Sequence, residues 1–267
     1  MPEPDLLREL TDDGVLLLTL NRPETMNAIS GGISAGLAAA ARESKTNDRI
    51  RVIVITGNGR GFCSGADLST GGPVRSTGAG PRPRAATVDK LGPGDLLLAL
   101  ADADVPIVGA INGAAAGAGF GLALSCDVRI ASDQARLGSV FIRRGVGPDY
   151  GSSYWLPRLV GLAKAYELFY SGELLDAKAA LAIGLVNRVV PHETLMDETM
   201  AYARTIAAGP PLAYTYTRRA LMRSIDDDLR THLVFEWTQQ SELLSTADAR
   251  EGFAAFLERR APRFSGA

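Results

Sequence analysis

Residues 110–127 read AINGAAAGAGFGLALSCD, and the reading of the fold starts from this stretch. The apolar run Val105-Pro106-Ile107-Val108-Gly109-Ala110-Ile111 leads into it and predicts a buried strand. Asn112-Gly113 is a turn pair that ends the strand. Small residues follow from Ala114 to Gly119, then an apolar helix through Leu122, Ala123 and Leu124. Small side chains at a helix start let another group approach the backbone closely. The first N–H groups there have no partner inside the helix, and the helix dipole favours negative charge beside them. Such a place can hold an oxyanion. The same residues also suit a Gly/Ala-rich helix packed tightly on a sheet, and their spacing is not a dinucleotide fingerprint.

Composition sets the wider frame. A chain of 267 residues with 46% hydrophobic and 22% charged residues suits one large globular domain, or one domain with a helical appendage. A net charge of −2 offers no electrostatic case for nucleic acid or an acidic membrane surface. Cys63 and Cys126 lie far apart among small or apolar residues, which predicts buried free thiols and supports no metal site. The first ten residues, MPEPDLLREL, lack the basic and apolar segments of a signal peptide, and no apolar run has membrane-spanning length. A cytoplasmic enzyme is the expectation.

Going outward from the central stretch, residues 15–21 and 52–56 (VIVIT) predict buried strands. A helix is expected over 33–45, with Ser30 as its N-cap. Between them and the central strand lies a glycine-rich loop, residues 57–68, whose Phe62 and Cys63 call for burial. Residues 69–87 read either as a solvated loop or as a lid whose Arg75, Arg82 and Arg84 face an anionic ligand. A helix over 89–101, a strand over 128–132 and a short extended piece over 135–141 come next. A turn over 143–151 opens a helix that should stop near Pro157. Asp149 stands just before that helix, where a lone Asp commonly serves as an N-cap, and Trp155 reads as core. Helices over 162–170 and 176–183 and a strand over 186–190 complete the sheet-forming part, residues 1–191. Residues 192–267 read as helices only, over 193–208, 212–223, 229–244 and 248–260. Strands alternating with helices, then helices alone, predict an α/β body with a helical C-terminal region packed on the body or on a neighbouring subunit. His192 and His232 both lie in that last third, away from the glycine-rich loops, which disfavours a Ser-His or Cys-His nucleophile.

Several of these motifs occur together in order: Asn21-Arg22-Pro23 with Asn27-Ala28, the 57–68 loop, residues 110–132, the 156–161 stretch LPRLVG, Gly184-Leu185-Val186, and residues 256–264, FLERRAPRF. In this the chain resembles the enoyl-CoA hydratase/isomerase, or crotonase, superfamily over nearly its whole length. The resemblance implies a spiral of ββα turns that binds an acyl-CoA thioester, with C-terminal helices that build homotrimers or dimers of trimers. It implies no cofactor beyond the coenzyme A carried by the substrate. Two backbone N–H groups would hold the thioester oxygen, those of Ala66 and Ala118, each contributing roughly 3 kcal/mol to an enolate-like transition state. The family usually has glycine at the second of these positions. The coenzyme A moiety would lie along Arg22 to Ala28 and along Ser64, Ala66, Asp67 and Leu68.

One departure from the family pattern decides the expected chemistry. Hydratases of the family carry two glutamates, at the positions of Gly121 and Phe141 here, and neither residue can transfer a proton. Asp149, eight residues after Phe141, resembles instead the aspartate of dienoyl-CoA isomerases and of the ring-opening isomerase of phenylacetate breakdown. One carboxylate suffices to remove a proton beside a thioester and return it elsewhere, whereas adding water generally uses one group on the water and one on the carbon. An acyl-CoA isomerase using Asp149 is therefore the leading expectation. A non-catalytic acyl-CoA binder, a hydratase relying on Asp149 alone, and a dehalogenase-like nucleophilic aspartate are the alternatives.

Overall fold

A computed structural model of the chain describes residues 3–67 and 94–267. In chain order the strands are β1 (Leu6–Leu10), β2 (Val15–Leu20), β3 (Val52–Gly57), β4 (Gly61–Cys63), β5 (Ile107–Ile111), β6 (Ala114–Ala116), β7 (Val128–Ser132), β8 (Arg136–Gly138), β9 (Leu175–Asp176) and β10 (Arg188–Val190). The helices are α1 (Gly31–Glu43), α2 (Gly94–Ala101), α3 (Ala118–Leu124), α4 (Ser152–Val160), α5 (Leu162–Ser171), α6 (Ala177–Ala182), α7 (Leu195–Ala207), α8 (Pro211–Arg223), α9 (Leu229–Leu243) and α10 (Ala247–Glu258). The strands form a six-stranded sheet ordered β1-β2-β3-β5-β7-β10 and a four-stranded sheet ordered β4-β6-β8-β9. From β3 to α4, among the described residues, two strands precede a helix three times in succession. The first joins the large sheet, parallel to its neighbours, and the second joins the small one. This is the ββα spiral.

The unbroken apolar runs end up where both faces of a strand are covered. In β3, Ile53 and Ile55 face the main core with Leu16, Leu18, Phe62, Phe120 and Leu137. Val52 and Val54 face a second core with Val108, Ile130 and the Leu195, Ala203 and Ile206 of α7. Each such aliphatic side chain contributes about 1.5–3 kcal/mol when withdrawn from water. Thus α7, the first helix beyond residue 191, forms a wall of the body. Farther out, α8 is fastened by the buried Arg218. Its guanidinium pairs with Asp127 at 2.9 Å and donates to the carbonyls of Leu100, Ala101 and Ala103 at 2.7, 2.6 and 2.7 Å. Charge-assisted bonds of this kind are stronger than neutral ones.

Ser30 caps α1 as expected, accepting a hydrogen bond from the Ile33 N–H at 3.1 Å. Other elements differ from the sequence reading. β4 and β6 fall in stretches read as a glycine-rich loop and as small residues before a helix, and β1 in a stretch to which the sequence reading assigned no element; β6 is three alanines held between Gly61-Cys63 and the 136–138 strand. α4 runs through Pro157 to Val160. The burial of Leu156 and the packing of Leu159 and Val160 on the core outweigh the one backbone donor that proline lacks. Leu68, the 69–87 loop and the first part of the 89–101 helix lie outside the described residues. No helix among the described residues is long and apolar enough to cross a membrane.

Candidate active site

Two turns meet at the rim of the small sheet. The first leaves β4 and passes Gly65, whose φ of +122° is open to glycine and costly for other residues. Beyond it, the Ile29 N–H donates to the Gly65 carbonyl at 2.8 Å, and the Asp67 N–H donates to the Ile29 carbonyl at 3.2 Å. This parallel bridge between Ile29 and Ala66 turns the N–H of Ala66 to the opposite side. The second turn leaves β6 at Gly117, with φ +55°, and places the Ala118 N–H first in α3. Neither N–H has a hydrogen-bond partner among the described residues.

Missing side chains bring the turns together. A Cβ added at Gly119 would lie 2.1 Å from the Cys63 carbonyl oxygen, so α3 sits directly on the end of β4. One added at Gly65 would lie 3.7 Å from the Ala118 nitrogen. Both alanines border a single cavity of about 100 Å³, whose lining includes Ser64, Gly117, Phe141 and Asp149. Ala118 itself is buried and helical, so its methyl group is accommodated where the family usually has glycine. The turn from β3 into β4, just ahead of the first, is braced by two asparagines. Buried Asn27 donates to the carbonyls of Asn58 and Gly61 at 2.9 and 2.7 Å, and Asn112 donates to those of Gly59 and Gly61 at 2.9 and 3.2 Å.

Asp149 does not cap α4. That helix begins at Ser152 with Gly151 as N-cap and no side-chain cap bond. Only the backbone carbonyl of Asp149 is used, accepting from the Ser152 N–H at 3.0 Å and its hydroxyl at 2.7 Å. The carboxyl group keeps solvent access in the single chain, yet it stands in a concave wall. Partial desolvation raises its pKa above the usual 3.8. Asp149 also borders a second, larger cavity of about 580 Å³ lined by α2, α4 and Met222 of α8. It is the residue common to both.

The two positions where family hydratases carry glutamate are filled otherwise. A Cβ at Gly121 would lie 2.3 Å from the Tyr150 carbonyl oxygen and 2.6 Å from its Cβ, so this spot admits no side chain without moving backbone. Phe141 is buried and presents a ring to the smaller cavity. Tyr150 holds a left-handed φ of 48°, uncommon outside glycine, and burial pushes its phenol up to about 12.

Of the residues expected along coenzyme A, Arg22, Ala28, Ser64 and Asp67 lie on hydrogen-bonded segments, and Ser64 borders the smaller cavity. Arg22 pairs with Asp67 at 2.6 Å and donates to the Ala28 carbonyl at 3.1 Å. The Ser64 N–H donates to the Met26 carbonyl, and its hydroxyl to the Thr25 carbonyl, both at 2.9 Å. The guanidinium of Arg22 therefore holds the Ala66 turn in place.

Other nucleophiles stand elsewhere or are silent. Cys63 and Cys126 are buried free thiols pushed up to about 12 by desolvation. His192 hydrogen-bonds Ser132 at 3.0 Å, His232 sits beside Asp227 and Glu236, and neither lines the two cavities. Trp155, expected in the core, packs against it and also faces the larger cavity. The sequence reading missed Tyr150, Leu97 and Met222 as cavity residues. No local pattern marks them, because their neighbours come from distant helices.

Comparison with known proteins bears on the family and the fold. The sequence profile of the enoyl-CoA hydratase/isomerase family matches residues 11–267. A protein of Rhodobacter capsulatus named "Probable enoyl-CoA hydratase" is 38% identical over 97% of this chain and 98% of its own. The 1,2-epoxyphenylacetyl-CoA isomerase of Escherichia coli is 37% identical over 96% of each. The crystal structure of enoyl-CoA hydratase from Bacillus anthracis superposes with a TM-score of 0.89 at 30% identity, covering 98% of this chain and 100% of that one. The ordered motifs, the ββα spiral and the match along the whole chain make this protein a member of the enoyl-CoA hydratase/isomerase family.

Proposed function

We propose that the protein is an acyl-CoA isomerase in which Asp149 moves a proton within an enoyl-CoA, or within a ring-type acyl-CoA. The observation that supports this is the position of Asp149, the one acidic side chain bordering the amide-lined cavity among the described residues. The thioester carbonyl oxygen accepts from the N–H groups of Ala66 and Ala118. Asp149 takes a proton from the adjacent carbon, and charge collects on the oxygen that the two amides hold. The carboxylic acid so formed returns the proton at another carbon, and the double bond shifts. A carboxylate with a raised pKa is a better base for this than an ordinary one. The reaction needs no cofactor beyond the coenzyme A that the substrate carries, for which Arg22, Ala28, Ser64, Ala66 and Asp67 offer a ledge; Leu68, the remaining residue of that set, lies outside the described residues. Turnover of a 3-enoyl-CoA tests the reading. Asp149→Asn should lose about 10²–10⁴ in rate; equal turnover by both proteins would remove Asp149 from the mechanism.

Hydration is the second reading, favoured by the name of the Rhodobacter capsulatus relative. It asks for a second proton-transfer group, and Gly121 and Phe141 supply none. Loss of the conjugated absorbance of crotonyl-CoA at a rate matching isomerisation would overturn the isomerase preference.

We further propose a homotrimer, or a dimer of trimers, working in the cytoplasm with its two thiols free. The outer helices support this assembly: Trp237, Phe256 and Leu257 are 66%, 81% and 79% exposed in the single chain. Large apolar side chains left in water at this density mark an interaction surface.

A further inference from the structure

The larger cavity beside Asp149 has a chemistry of its own. Its wall is made by Leu97, Leu98 and Ala101 of α2, Tyr154 and Trp155 of α4, and Met222 of α8. Asp149 is the sole acidic side chain on it, and no Lys, Arg or His lines it among the described residues. An ionised tail entering there would give up water without a partner, and a carboxylate would meet Asp149 as a like charge. The volume, about 580 Å³, far exceeds what a short acyl chain fills. A six-membered ring needs on the order of 150 Å³, which leaves room for a ring and the carbons that link it to the thioester.

The aromatic wall is shaped and braced. Tyr154 and Trp155 meet edge to face, with centroids 4.8 Å apart and planes at 88°. Two flat faces at a right angle make a corner. A planar ring fills it by stacking on one face and presenting its edge to the other, the arrangements that aromatic quadrupoles favour. A linear chain uses neither face fully. Tyr154 is held from outside: Arg158 lies 3.5 Å over its ring and pairs at 2.9 Å with Asp226, which also accepts from the Tyr154 hydroxyl at 3.2 Å. A wall fixed before the ligand arrives loses less entropy on binding. Gly151 forms part of the same wall, and a Cβ there would lie 2.9 Å from Leu97 and 3.3 Å from the Trp155 indole nitrogen.

We propose that this cavity is the acyl compartment and that it selects an uncharged, ring-bearing acyl group, with Tyr154 and Trp155 recognising the ring. The inference rests on the reading of Asp149 as the base, since Asp149 alone joins this compartment to the amide-lined cavity.

Calorimetric titration of the whole protein with thioesters that carry no alkene to shift tests it, using acetyl-CoA, octanoyl-CoA, succinyl-CoA and phenylacetyl-CoA. Phenylacetyl-CoA should bind tightest, at least about tenfold tighter than acetyl-CoA. Trp155→Ala should erase most of that gain while leaving acetyl-CoA within about twofold. Should Trp155→Ala fail to fold, Ala101→Trp fills the compartment from α2 and should cost phenylacetyl-CoA its advantage in the same way. Tighter binding of octanoyl-CoA or succinyl-CoA, or equal weakening of every thioester in the folded variant, overturns the inference. If the ring preference is absent while turnover still depends on Asp149, the acyl compartment alone is wrong. If no thioester binds at all, the acyl-CoA reading falls and takes this inference with it.

Discussion

At Asp149, a carboxyl group in a concave wall with no cap bond to α4 feels chiefly the loss of water, which raises its pKa above 3.8. This has a kinetic and a thermodynamic consequence. The base works when ionised, so kcat/KM should fall in acid through a pKa above the ordinary carboxylate value, and a pH–rate profile reads it. Asp149→Asn should lose that acid limb together with the activity. For stability the sign is opposite to that of a salt-bridged carboxylate. A folded-state pKa above the unfolded one favours the fold below the unfolded pKa, and that advantage disappears as pH rises through the folded value. At neutral pH the charge is a burden on folding, so the melting temperature of Asp149→Asn should equal or exceed that of the parent. A lower one would mean that the carboxylate makes a structural bond. The residue was legible in the sequence as a candidate, but its orientation was not. A cap and a base at that position share the same residue types, and only the backbone path through Tyr150 and Gly151 separates them.

Among the elements, α3 and β4 set the distance between the two amides. Their contact rests on Gly119, where even a methyl group would meet the Cys63 carbonyl at 2.1 Å. Overpacking typically costs 1–3 kcal/mol, about that range here, and backbone has to move to relieve it. Gly119→Ala should therefore lower the denaturation midpoint. It should also reduce kcat/KM more than the remaining folded fraction explains, because α3 carries the Ala118 N–H away from that of Ala66. A folded Gly119→Ala protein with parental kcat/KM would show that the amide spacing is not critical. β3, β5 and α1 were readable because local pattern suffices for them: apolar runs covered on both faces, and a Ser30 cap. β1 and β6 were not. β1 is an edge strand with mostly exposed side chains, and β6 consists of alanines that become a strand only between their neighbours.

For the whole molecule, the outer helices pose the remaining energetic question. α9 and α10 leave Leu229, Leu233, Val234, Trp237, Phe253 and Phe256 largely in water in the single chain. Subunit contact would cover them, and analytical ultracentrifugation should find a trimer or a hexamer. Trp237→Asp should shift that assembly toward smaller species; a parental assembly in the variant would move the interface elsewhere. A monomeric parent would overturn the proposed homotrimer.

The sequence by itself determined the alternating body, the helical C-terminal region, the two glycine-lined turns, and the absence of a carboxylate at positions 121 and 141. Each of these is a local property, carried by apolar periodicity, by residues that permit unusual backbone, or by side-chain identity. Only the tertiary structure decided that Ala66 and Ala118 share one cavity, that Gly121 is roofed by Tyr150, and that Asp149 joins this cavity to an aromatic-walled compartment. Those facts depend on close contacts between segments far apart along the chain. Such contacts are set by packing, through Gly119 on Cys63 and Arg218 binding α8 to the end of α2, and packing leaves no periodic trace in the sequence.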